Sequence, residues 1–337
     1  MKKYIPLCLI VFMSACFPEK DVPVSQAPSP GSLLVLNEGN FQWGNATVSS
    51  YDIKEGTATD GDLFSSVNGR PLGDVLQSAL LIDDHYWLVV NNSGKIEVVN
   101  KNTFTSTRTI GQLGSPRHLC QYSPTEVALT DLYSDSLSFL NIQSGEITEK
   151  VFLKGWKEEM VLVKNHIWVT NPNTPRIYQV SLNPKKIIDS IPIGFGSFSV
   201  YADKAERLWI ATRGNKDLGI SSMIHCMDPV SKAILFSETI GTEIIQDFFV
   251  DSEDRVYYIF ENKLFRFDAQ TPSLPAAPLY EGSAGNLYAV EYHAGKIFLS
   301  DAIDFTQRGK VIVLDDSGEV LDMFQAGRIP NGFLFVP

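Results

Sequence analysis

The residues of this 337-residue chain that could do chemistry are mainly amides, aromatic rings and guanidinium groups. His85, His118, His166, His225 and His293 never fall at metal-ligand spacing, and only His118 lies in a loop rich in other polar groups. There is no His-Glu-x-x-His, no Gly-x-Ser-x-Gly elbow, no phosphate-binding Gly-rich loop and no dinucleotide fingerprint. Asp131, Asp135 and Asp301 have the oxygen chemistry for calcium or for acid and base work. Aspartate at a strand end is, however, first of all a turn former. What remains is a set suited to non-covalent capture: Asn37, Phe41, Trp43, Arg70, Asn92, Arg117, His118, Asp131, Tyr133, Trp156, Asn171 and Arg213. Rings supply stacking area, amides orient a ligand, and guanidinium groups pair with oxyanions. Binding without catalysis is the expectation, with no metal and no cofactor.

The elements that must position these residues are short strands in a repeat. Leu34, Leu88, Ala128, Trp168, Trp209, Tyr257 and Phe298 occupy one place in seven copies, with steps of 54, 40, 40, 41, 48 and 41 residues. Each copy reads as an apolar strand, a polar stop, and a second strand ending near Asp or Asn. A period near forty with several strands per unit is the mark of a β-propeller. No amphipathic helix of useful length interrupts it. The fold class expected is therefore all-β, a seven-bladed propeller over residues 32–337. The first copy lacks an inner strand, whereas Ile329–Phe335 has no blade of its own. That tail is predicted to complete blade one and close the ring, which removes an open sheet edge. In such a disc, the loops after second strands and between blades share one face, and these loops carry the candidate residues.

The N-terminus speaks to compartment. Lys2 and Lys3 precede an apolar stretch from Tyr4 to Met13, then Ser14-Ala15-Cys16. This is expected to be a secretory signal over residues 1–15, with Cys16 in the place of a lipidated cysteine. Residues 16–31, with Pro18, Pro23, Pro28 and Pro30, read as a flexible tether. The charged segment Glu19-Lys20-Asp21 just after Cys16 resembles the surface-export signal of Bacteroidetes lipoproteins, which implies outer-membrane display facing outward. Loss of Lys2 and Lys3 takes the net charge from −11 to −13. That balance argues against nucleic acid as a partner and leaves the lipid as the contact with the membrane. Cys120 and Cys226 sit in apolar runs and are expected to be lone core thiols.

The stretch Leu34-Val35-Leu36-Asn37-Glu38-Gly39-Asn40-Phe41 with Gly44-Asn45-Ala46, followed by Asn68-Gly69-Arg70-Pro71-Leu72-Gly73-Asp74-Val75-Leu76-Gln77-Ser78 and Val90-Asn91-Asn92-Ser93-Gly94-Lys95-Ile96-Glu97-Val98, resembles the YncE-like surface propeller lipoproteins of Bacteroidetes. Within these it is most similar to the BtuG family. The resemblance implies capture of cobalamin or a related corrinoid at the cell surface and delivery to a TonB-dependent outer-membrane transporter. Siderophore or haem as cargo, or a metal-dependent propeller hydrolase, are the alternatives.

Overall fold

The computed structural model describes residues 27–59, 61–282 and 285–337. The predicted signal segment and Cys16 lie outside these. Seven four-stranded antiparallel sheets account for nearly all of the ordered backbone, as the repeat requires. In blade 3, for example, the strands are Pro116–Gln121, Glu126–Asp131, Ser136–Asn141 and Ile147–Phe152, from the centre outward. Among the described residues, no helix is long and apolar enough to cross a membrane.

The second strand of each blade is an almost unbroken apolar run because both of its faces pack against neighbouring blades. Ser32–Asn37 is buried at every position. One apolar cluster fills each of the seven interfaces between blades. Trp168 seals blade 4 against blade 5, Trp209 seals blade 5 against blade 6, and Phe298 seals blade 7 against blade 1. In blade 2 the residue facing forward is Trp87, packed with Leu129 and Val127 of blade 3, and Leu88 faces back to blade 1. The repeat alignment is thus one residue off in that copy, and a one-residue slip exchanges the faces of a strand.

The ring closes as the orphan tail demands. Pro330–Phe335 pairs antiparallel with Ser32–Asn37, with Leu33 opposite Phe335 and Val35 opposite Phe333. The long first step of the repeat holds a short helix, Leu63–Asn68, not foreseen from the sequence. Asp62 caps it by accepting from the Phe64 and Ser65 amides, and Phe64 is fully buried between blades 1 and 2. The 48-residue step holds a one-turn 3-10 helix, Lys216–Leu218, after the second strand of blade 5. Cys120 and Cys226 are both buried and free, in different interfaces.

Candidate functional site

The inner strands surround a central shaft, and they are irregular at its upper end. In six blades the ladder to the second strand slips near the start of the inner strand. The residues left unpaired by these slips are Asn331, Gln77, Arg117 with His118, Phe198, Gln246, and Tyr288 with Ala289. A bulge of this kind frees a side chain from the alternation of the strand and re-aims it. All of them except Ala289 line a cavity of about 360 Å³ at the mouth of the shaft. A second cavity of about 490 Å³ continues below it and shares Gln77, His118, Glu159, Asp247 and Asn331.

Polar pairing organises the mouth. Arg117 grips the buried Glu158 carboxylate with two nitrogens, Nε at 2.9 Å and Nη2, and also donates to Gln77. Trp156 donates its indole N–H to the same carboxylate, and the Arg117 guanidinium lies 5.6 Å from the Trp156 ring centroid. The loop carrying Trp156 and Glu158 is fixed from beneath by Lys157, whose fully buried ammonium donates to the carbonyls of Ser134, Leu153 and Gly155. Glu38 accepts from Asn331 at 3.1 Å and from Tyr288 at 3.3 Å. Glu159 accepts from Ser199 at 2.6 Å.

The shaft is rich in carboxyls whose environments push them apart. Burial raises Glu38 and Asp247 to about 7 and Glu291 to about 8, and it also pushes Glu159 up. Burial would raise Glu158 too, but the charge of Arg117, with His118 beside it, holds that carboxyl far below the usual range. Carboxyls of the unfolded chain titrate near 4. Between there and pH 7–8 the folded state holds more protons on Glu38, Asp247 and Glu291, so stability falls as pH rises through that window. The contribution of Glu158 is present above its ordinary value and is lost as the solution becomes strongly acidic. The stability measured by urea unfolding is therefore expected to be highest near pH 4–5 and to decline by roughly 1–4 kcal/mol toward pH 8.5. Asp247→Asn should flatten that decline. A midpoint that rises steadily from pH 5.5 to 8.5 in both proteins would contradict this placement of charge.

Above the mouth stand the exposed rings. Phe41, Trp43 and Tyr133 are 61%, 76% and 79% exposed, and all three sit on loops following second strands. Those loops are pinned. Gly39 has φ +75°, and a Cβ there would meet Asn45 Oδ1 at 2.4 Å, so only glycine fits. Asn40 donates to the Phe305 carbonyl of blade 7 at 2.6 Å, and the Gln42 amide donates to Asp74 at 2.8 Å. Asp131 accepts from the amides of Ser115, Tyr133 and Ser134, which fixes the base of the Tyr133 loop.

Of the residues singled out by sequence, Phe41, Arg117, His118, Trp156 and Arg213 come together around the upper cavity. Trp43 and Tyr133 stand on the same face, outside it. Asn92 is exposed on that face and donates to Asp74. Asn37, Asp131 and Asn171 turn inward instead. Asn37 is buried and bonds Ser49 and the Gly327 amide, and Asn171 bonds the Lys154 carbonyl. Arg70 does not reach the mouth either; it pairs at 2.6 Å with Glu97, a carboxylate buried within blade 2. His85 and His166 open second strands at the opposite end, and His293 there stacks on Phe335 of the closing strand at 4.0 Å. Sequence reasoning missed Gln77, Glu158, Glu159, Phe198, Gln246, Asp247, Tyr288 and Asn331. The available signal was the opening pair of most inner strands: Pro330-Asn331, Leu76-Gln77, Pro116-Arg117, Ile245-Gln246 and Leu287-Tyr288 each place a shaft-lining residue directly after an apolar one.

Solved structures share this architecture at low identity. A quinonprotein alcohol dehydrogenase-like protein from Bacteroides thetaiotaomicron VPI-5482 superposes with TM-score 0.72 at 14% identity, over 92% of this chain and 79% of that one. A protein from Lactobacillus plantarum gives 0.69 at 12%, over 91% and 100%. A putative 6-phosphogluconolactonase from Bacteroides uniformis ATCC 8492 gives 0.69 at 11%, over 91% and 99%. These likenesses establish the propeller and nothing about its ligand. No curated protein sequence matches the chain. A family model does match, over residues 31–298, which spans blades 1 to 6 and the start of blade 7. The chain therefore belongs to the family described as domain of unknown function DUF5074.

Proposed function

We propose that this propeller is a binding protein that captures cobalamin or a related corrinoid across the mouth of its shaft, without chemical change. The observation that carries the reading is the set Phe41, Trp43 and Tyr133: three exposed rings on one face, on two loops that are both held by hydrogen bonds, above a polar opening. Pinned aromatic groups lose little freedom on binding, so their apolar area converts efficiently into affinity. A corrinoid is too large for about 360 Å³. Its ring would lie flat on the rim, with its amide arms directed to Asn92, Gln77, Gln246 and Asn331. The similarity of the Asn37–Asn45 and Asn68–Asp74 segments to surface corrinoid-binding lipoproteins supports the same cargo. The reading extends to a lipid anchor on Cys16, display on the outer face of the outer membrane, and hand-over to a TonB-dependent transporter.

Calorimetric titration of the purified protein with cyanocobalamin tests it. Binding should be saturable, and the double variant Trp43→Ala, Tyr133→Ala should weaken it roughly 10²–10³-fold. Haem and a ferric siderophore serve as competitors. If either binds and cyanocobalamin does not, the cargo is different; if the wild-type protein takes up none of them, the capture role is lost.

A further inference from the structure

Ten arginines are present, and among the described residues nine have their guanidinium groups engaged by hydrogen bonds, to Glu97, Gln143, Glu158, Ser190, Asp203, Asp251, Asp316, Ala326 and Thr306. Arg213 is the exception. Its guanidinium lies over the Phe198 ring, 4.3 Å from the centroid, and Nε is shielded from water with no acceptor. A guanidinium stacked on a ring keeps its donors in the plane, free for a planar acceptor. This one lines the upper cavity. A shielded donor without a partner is costly unless something arrives to accept from it.

We infer that Arg213 seats a singly charged oxyanion borne by a ligand, a carboxylate or a phosphodiester, and that this seat fills with uptake of a proton by the carboxyls facing it.

The charges around Arg213 argue for both parts. Asp247 of blade 6 and Tyr288 of blade 7 feel its charge directly. Across the same cavity stand Glu38 from blade 1, Arg117 and His118 from blade 3, and Glu158 and Glu159 from the approach to blade 4. Arg117 and Glu158 neutralise each other. That leaves Arg213 against Glu38, Glu159 and Asp247, all three raised by burial, two of them to about 7. Below neutrality Glu38 and Asp247 are largely protonated, and the cavity presents the Arg213 guanidinium with acid O–H donors beside it. Above neutrality they ionise and repel an anion. An anion on Arg213 in turn strengthens their hold on protons, so affinity falls as pH rises through about 7.

The inference does not need a corrinoid, and parallel titration with cyanocobalamin keeps the two readings separable. Benzoate and dimethyl phosphate are the probes, since neither changes charge between pH 6 and 8.5. The purified protein should bind at least one of them at pH 6 and bind it at least tenfold more weakly at pH 8.5. The tighter probe identifies the oxyanion as carboxylate or phosphodiester. Arg213→Met should lose this binding while keeping the β-sheet circular dichroism of the wild type, because among the described residues no hydrogen bond ends on that guanidinium. Asp247→Asn should keep the binding and reduce its pH dependence. Failure of the wild type to bind either probe, equal binding at both pH values, or retention of binding by Arg213→Met would each overturn the inference.

Discussion

Deletion of residues 329–337 is expected to leave a chain with no cooperative thermal transition, recovered mainly as aggregate. The strand removed is the inner strand of blade 1, so Ser32–Asn37, buried at every position, would lose one whole side of its hydrogen-bond ladder. An unpaired edge of that kind recruits other chains. The cluster joining blades 7 and 1 would lose Phe333, and the one joining blades 1 and 2 would lose Val336. Phe335 would no longer stack on His293 or meet Phe298 at 5.5 Å. Asn331 would no longer bond the Leu76 and Gln77 carbonyls, which tie the closing strand to blade 2. Removal of a single buried Phe typically costs about 3–5 kcal/mol. The strand as a whole then exceeds the roughly 5–15 kcal/mol that holds an ordinary domain together. Thermal unfolding followed by circular dichroism is the measurement. A cooperative transition within about 10 °C of the full chain would show that the ring does not depend on its tail.

Closure was legible in the sequence because a four-stranded repeat with one strand short at the start and one left over at the end has a single economical solution. The blades were legible for a related reason. A strand buried on both faces must be apolar throughout, and six of the seven forward-facing positions were aligned on that ground alone. The slip at Leu88 has the same cause: in Tyr86-Trp87-Leu88-Val89-Val90 every residue is buried, so no alternation marks which side is forward. The site was harder to read. Asn37, Asp131 and Asn171 look like rim residues because they end strands, yet a short side chain at a strand end satisfies nearby amides and carbonyls before it meets a ligand. Arg70 looked free, but no sequence pattern shows that Glu97, in the third strand of blade 2, would be buried and in need of a cation. The shaft residues come from bulges, which are a matter of register between strands; a single strand shows only their trace, a shaft residue directly after an apolar one, as in Leu76-Gln77 and Ile245-Gln246.

Glu158→Ala is expected to cost about 3–5 kcal/mol of stability, because it strands a cation. The carboxylate is buried and takes two bonds from Arg117 and one from the Trp156 indole, with His118 Nε2 at 3.5 Å. Without it, Arg117 keeps Gln77 as its hydrogen-bond acceptor and its ring contact with Trp156. The damage should be less than additive with its partner's removal. Arg117→Met combined with Glu158→Met takes out both charges together, and the pair variant should be recovered to within about 1–2 kcal/mol of wild type, since an enclosed ion pair replaced by apolar groups of similar bulk is often near neutral. Ligand capture separates the two roles further. The pair variant should fold but lose the anchored position of Trp156, and with it affinity for whatever lies across the mouth. Urea unfolding of Arg117→Met, Glu158→Met and the pair measures the coupling. Additive losses, or a loss below about 1 kcal/mol for Glu158→Ala, would mean that water reaches this carboxylate and that the ion pair at the centre of the mouth holds nothing in place.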